Sequence, residues 1–181
     1  MADLPMELVL SASGGRLSGP AAPAFLRGVA TDTRSLTPGA LFVALRGERF
    51  DGHDFVAEAF ASGAGAALVS SEAEAAGTLV VVEDTLLALG RIAAAHRALL
   101  TLKVIAVTGS TGKTSTKEMI AAILSRQWKT ARTPGNYNNE NGVPLALLEL
   151  DESYQAAVIE LAMRGRGQIA QLAEMVRPQV G

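Results

Sequence analysis

The sequence predicts an α/β protein, with a small amino-terminal α/β domain followed by the start of a parallel-sheet domain of the P-loop type. Three observations carry this. From residue 103 onward, apolar strand-like runs alternate with helix-patterned segments, as right-handed βαβ units require. The texture changes near 84–102, where short strands between turns give way to one longer helical stretch. The stretch TGSTGKTST at 108–116 places two glycines, a lysine and a run of hydroxyl residues directly after the apolar run KVIAV at 103–107.

The elements follow in order. A loose helix is expected near 5–13. Strand-like pieces come at 25–34 (FLRGVATDTR), 40–45 (ALFVAL), 66–71 (AALVSS) and 78–84 (TLVVVED), with a helix over 54–63. The segment 84–100 opens on Asp84, a residue suited to capping, and repeats Leu87, Gly90, Ile92, Ala94 and Ala95 at helical spacing. It reads as a connecting helix, and the domain boundary is set at 83/84. Beyond it come a strand over 103–108, a helix over 112–126 with apolar residues at 119, 120, 123 and 124, and a short strand or turn near 130–134. A helix over 143–149, a strand over 156–161 and a helix over 166–175 complete the series. The last residues, RPQVG, read as a helix exit feeding another strand.

Composition bounds the function. The chain has 181 residues, 49% of them apolar, enough for a real core. Sixteen basic against eighteen acidic residues leave a net charge of -2 with no cationic stripe, which argues against nucleic acid. The absence of cysteine rules out a disulfide framework and thiolate metal sites. No basic and apolar leader opens the chain and no run of about 18 apolar residues occurs, so the expectation is a cytoplasmic protein without a membrane span.

The glycine stretch carries the chemistry. A helix that follows a strand begins with unpaired N–H groups and the positive end of its dipole, which favour an anion. Gly109 and Gly112 let the backbone curl close around a phosphate, with Ser110 and Thr111 between them. Lys113 supplies a mobile positive charge, Thr114 a hydroxyl suited to magnesium, and Ser115 a further hydroxyl in the first helical turn. The spacing is shorter than the common P-loop, which puts four residues between its first glycine and the GK pair.

Two further stretches belong with it. TPGNYNNENGVP at 133–144 is rich in residues that form turns, yet it follows the second strand of the series at the sheet edge where ligands gather. Asn138, Asn139 and Glu140 are its candidates for facing phosphates or a metal. AAVIELAMRGRGQIA at 156–170 is an apolar strand ending in Glu160, placed as a second metal ligand across from Lys113. Arg164 and Arg166 read as solvated charges, with contact to an anionic substrate as the alternative.

TDTRSLTPGALFVALRGERFDGHDF at 31–55, VIAVTGSTGKTSTKEMIAAIL at 104–124 and GNYNNENGVPLALLEL at 135–150 together resemble the Mur ligase family over nearly the whole chain. The resemblance implies a P-loop ATPase domain and ATP-dependent amide synthesis in peptidoglycan assembly, through an acyl phosphate. It implies ATP and Mg2+ as cofactors, UDP-N-acetylmuramoyl-tripeptide and D-alanyl-D-alanine as substrates, and a monomer. Residue by residue, it gives Gly109 to Ser115 as the ATP loop, Lys113 and Glu160 as catalytic, and Thr114 and Glu160 as magnesium ligands. The amino-terminal domain would hold the uridine diphosphate part through Thr33, Arg34, Ser35 and Arg49, with His53 reading instead as a neighbour of the cap on the helix at Asp54. Ala162 stands where the family usually has glycine. Members of the family continue well past this point, so the 181 residues alone are expected to turn over weakly or not at all. The rivals are another Mur-type or a folylpolyglutamate-type amide ligase, a P-loop phosphotransferase or GTPase, and a nucleotide-binding piece without turnover.

Overall fold

The computed structural model describes residues 3–47, 50–72 and 76–181. The chain forms two compact units, Met1–Ile92 and Ala93–Gly181, divided inside a helix.

In the first unit, β1 (Asp3–Pro5) leads into α1 (Met6–Ser13), followed by β2 (Arg16–Ser18), β3 (Phe25–Arg27) and β4 (Val29–Ala30). The strand expected over 25–34 is thus broken at Gly28. Its first half pairs antiparallel with β1, while its second half pairs in parallel with β5 (Leu41–Val43). Beyond Ala30 the backbone enters a 3-10 turn, Thr33–Ser35, because Asp32 accepts the Arg34 N–H through its side chain at 3.0 Å. A second 3-10 turn, Gly52–Phe55, is capped the same way by Asp51 and runs into α2 (Val56–Ala61). With β6 (Ala66–Val69) and β7 (Leu79–Val81) the main sheet has the order β2-β7-β6-β5-β4, parallel except for β2. Every residue of β5 and β6 is buried, so these strands read as continuous apolar runs. Phe42, Val56, Val69 and Leu79 form the core between this sheet and α2.

The helix α3 (Thr85–Leu99) starts as its sequence foretells, with the Asp84 carboxylate accepting from the Leu87 N–H at 2.9 Å. The second unit then builds a parallel sheet of order β8-β10-β9 from β8 (Lys103–Val107), β9 (Thr130–Arg132) and β10 (Ala156–Glu160). Strand β10 lies in the middle and is buried throughout; Val158 and Ile159 each contribute about 1.5–3 kcal/mol by leaving water. Helix α4 (Lys113–Leu124) packs on this sheet, with Ala121, Ile120 and Leu124 against Val107 and Val158. Helices α5 (Gly142–Leu148) and α6 (Gln168–Val176) complete the unit. Past α6 the chain returns to the sheet, where Val180 bridges Ile105 in parallel and its carbonyl accepts from the Ala106 N–H at 2.8 Å.

One buried cation holds helix ends together in this unit. Arg97, 4% exposed, donates to Leu100 O at 2.8 Å just past the end of α3 and to Val176 O at 2.9 Å at the end of α6. Those carbonyls have no helical partner of their own. Replacing Arg97 by alanine should therefore cost about 2–3 kcal/mol, because buried acceptors are stranded; urea unfolding measures it, and a loss within about 0.5 kcal/mol, ordinary for a surface change, would contradict this role.

Candidate functional site

Strand register assembles the site. Glu160 lies opposite Val107 in the parallel β10·β8 pair, and the Leu161 N–H donates to Val107 O at 2.8 Å. On the other side, Thr133, just past β9, donates its N–H to Val158 O at 3.1 Å. The carboxyl ends of three neighbouring strands therefore present the loop 108–112, Glu160 and the segment after Thr133 at one edge, where open parallel sheets bind ligands.

The loop itself is exposed over 108–112. Gly109 and Gly112 have φ of 144° and 75°, and Gly112 is the cap of α4 with no side chain serving as acceptor. A Cβ at Gly112 would meet nothing within 4 Å, so the left-handed backbone, and not crowding, is what demands glycine there. Thr116 is bonded to Gly112 O at 2.9 Å as the helix begins its ladder. The turn before it is the kind of amide-lined helix start that receives an anion. The Lys113 ammonium folds onto its own loop, donating to Gly109 O at 2.7 Å and Ser110 O at 3.4 Å. Ser110, Thr111 and Ser115 lie on the exposed rim of the same turn.

Glu160 is 2% exposed, yet it is fully engaged. The Thr114 hydroxyl donates to its Oε2 at 3.0 Å and the Asn138 amide to its Oε1 at 2.8 Å. Its N–H donates to Thr133 Oγ1 at 2.8 Å, and the Ala162 N–H donates to Asn138 O at 2.7 Å, so the strand end is gripped on both sides. Two hard oxygens of Thr114 and Glu160 converge beside the glycine loop, a donor set that suits magnesium held also by phosphate and water. Asn139 is committed elsewhere: its side-chain oxygen accepts from the N–H groups of Asn141 and Gly142 at 3.2 and 2.9 Å, which starts α5. Sequence reasoning passed over Lys117. It is 1% exposed and reaches Glu160 Oε2 at 3.7 Å. The available signal was its spacing, since residues three and four beyond Thr114 and Lys113 share a helix face.

A second candidate lies wholly in the first unit, a cavity of about 480 Å³ whose lining includes Thr33, Arg34, Phe42, Phe50, Phe55 and Glu58. Thr33 donates to Glu58 Oε1 at 2.6 Å, and Arg34 lays its fork on Asp32, Nε to Oδ1 at 2.9 Å. Ser35 turns its hydroxyl onto Asp32 O at 3.2 Å. Arg49 lies outside the described residues. Phe50 leaves 74% of its surface open at this cavity, and sequence reasoning gave no reason to single it out. His53 is built into the scaffold. Its Nε2 accepts from the Ser70 N–H at 2.9 Å, so the ring proton sits on Nδ1 and faces Asp51 Oδ1 at 2.5 Å.

These contacts set the acid response of the unit. Asp51 is held down from 3.8 to about 2 by the His53 N–H and then the His53 ring, and Asp32 falls from 3.8 to about 2 chiefly through the Arg34 side chain. Both carboxyls are depressed in the folded state, so their contribution is complete above the ordinary value and is lost as pH falls toward 2. The urea midpoint should decline between pH 4 and pH 2 less steeply in a D32N/D51N double variant than in the parent, and identical slopes would refute the assignment.

Comparison with known proteins gives the class. The model of the Mur ligase family, catalytic domain, matches residues 26–97, and that of the Mur ligase middle domain matches residues 107–181. The chain belongs to the Mur ligase family. Among its relatives, the UDP-N-acetylmuramoyl-tripeptide--D-alanyl-D-alanine ligase of Synechocystis is 51% identical over 86% of this chain and 35% of its own length. The crystal structure of MurF from Acinetobacter baumannii superposes with a TM-score of 0.92 at 41% identity, covering 98% of this chain and 40% of that one. MurF ligase from Thermotoga maritima in complex with ADP gives 0.77 at 34% identity over 84% and 36%. The chain thus spans about a third of the length of the curated relatives it matches. Among the described residues no helix is long and apolar enough to cross a membrane.

Proposed function

We propose that this chain is the amino-terminal and ATP-binding part of a ligase that adds D-alanyl-D-alanine to UDP-N-acetylmuramoyl-tripeptide in cytoplasmic peptidoglycan precursor synthesis. The observation that carries it is the Thr114 hydroxyl and the buried Glu160 carboxylate, 3.0 Å apart at the mouth of a glycine loop. The relatives named for this reaction, and the ADP complex of one of them, support the same reading.

In this reading the amides of residues 109–115 and Lys113 receive the phosphates of ATP, with Ser110, Thr111 and Ser115 lining the rim. Thr114 and Glu160 hold Mg2+, which when bound neutralises phosphate charge during transfer. Asn138 keeps Glu160 in place, and Asn139 shapes the adjoining turn. The tripeptide carboxylate attacks the γ-phosphorus and ADP leaves; the amino group of D-alanyl-D-alanine then displaces phosphate from the acyl phosphate and gives up a proton. Such chemistry calls for charge neutralisation and alignment more than for a protein acid or base. In the amino-terminal domain, 1–83, the cavity at Thr33 and Arg34 takes the uridine diphosphate end, with Ser35 in the same turn and the open Phe50 ring as a stacking face for the base; Arg49 is a further candidate for this end on the resemblance alone.

Titration calorimetry tests both halves. Mg·ADP and UDP-N-acetylmuramoyl-tripeptide should each bind, and Mg·GDP should not. Absence of adenine nucleotide binding, or equal binding of guanine nucleotide, overturns the reading.

A further inference from the structure

Lys117 has no part in the reaction as derived, and a lysine ammonium withdrawn from water requires compensation. Here it donates to Thr133 O at 2.9 Å and lies 3.3 Å from Glu118 Oε1 and 3.7 Å from Glu160 Oε2. Glu118, about half exposed, is also paired with Arg132 Nε at 2.8 Å. The charges alternate along one line, Arg132, Glu118, Lys117, Glu160. At its inner end stands the carboxylate that the Thr114 hydroxyl also addresses.

Resting on the magnesium and nucleotide reading of this site, we propose that Lys117 is a positioning residue that makes the site accept its divalent cation together with a polyphosphate and disfavour the bare ion. A dication approaching Glu160 Oε2 alone meets a fixed ammonium on the same oxygen, so much of the carboxylate's attraction is already committed. A dication carried by a nucleotide brings its own negative charge, which Lys113 and the loop amides take up from the other side. Lys117 cannot swing away, because Thr133 O anchors its Nζ while Thr133 Oγ1 accepts the Glu160 N–H at 2.8 Å. One residue therefore fixes the spacing of the two opposite charges.

The test uses Mn2+ alone, followed by electron paramagnetic resonance, and Mg·ADP by calorimetry, on the parent chain, K117M and E118Q. K117M should bind Mn2+ alone about tenfold more tightly than the parent, with a smaller change toward Mg·ADP. E118Q, which removes a neutralising carboxylate from the half-exposed side of Lys117, should bind Mn2+ alone more weakly. A purely structural lysine predicts instead that K117M loses affinity for Mn2+ and Mg·ADP alike, and equal or weaker Mn2+ binding by K117M overturns the proposal. Should K117M not fold, E118Q decides by itself, since unchanged or tighter Mn2+ binding there also overturns it. Failure of the parent to bind Mg·ADP would instead remove the nucleotide reading and leave the Mn2+ order of the variants as a separate result.

Discussion

Replacing Lys113 by methionine lowers the affinity for Mg·ADP by about a hundredfold and leaves unfolding within about 0.5 kcal/mol of the parent. The two halves of this expectation come from the same geometry. The Lys113 ammonium donates to carbonyls of its own loop, Gly109 O at 2.7 Å and Ser110 O at 3.4 Å, so the hydrogen bonds lost with it are to the loop and not to the core. The loop carbonyls are exposed and water replaces the ammonium there. A phosphate in the loop has no such substitute, and charge-assisted bonds of this kind contribute about 1.5–3 kcal/mol each. Calorimetry and urea unfolding of the same preparation give both numbers. Affinity retained within about threefold, less than 1 kcal/mol, would remove Lys113 from the nucleotide site.

Glu160→Ala is expected to act in the opposite way, on the fold first. It leaves Lys117 buried without its inner partner and takes the acceptor away from Thr114 and Asn138, and breaking one side of a buried pair typically costs about 3–5 kcal/mol. Glu160→Gln keeps the volume and an acceptor oxygen, so it should lose less stability while still losing the charge that a divalent cation needs. Unfolding midpoints of the two variants, read beside their Mg·ADP affinities, separate scaffold from ligand. A Glu160→Ala loss below about 1 kcal/mol would contradict the coupling of these two buried charges.

The second unit was largely legible because its signals are local. KVIAV is apolar in every position after its exposed Lys103, as a strand paired within a parallel sheet tends to be, and the glycines after it sit at positive φ where the turn needs them. Glu160 was legible too, since a carboxylate closing an apolar run has to emerge at the strand end. Partners set by register were hidden. For Lys117 only the spacing from Lys113 and Thr114 hints at the inward face, while the apolar Met119 and Ile123 of the same helix are 60% and 71% exposed. Which face of α4 is covered depends on the strands it crosses, and that is known only once β9, β10 and β8 lie side by side. The segment 25–34 misled for a similar reason. It has a strand's composition, but Gly28 divides it between two sheets, and the Asp32 cap turns its end into a 3-10 turn.

The central place of β10 has a kinetic corollary. Its amides are covered from both flanks and should be the last in this unit to trade hydrogen for deuterium, while those of 108–112 should trade almost at once. Glu160 then lies in the slowly exchanging strand, while its partner Thr114 follows directly on the fast-exchanging loop. The site would come apart from its loop side, with the carboxylate still in place as a template on which the loop re-forms.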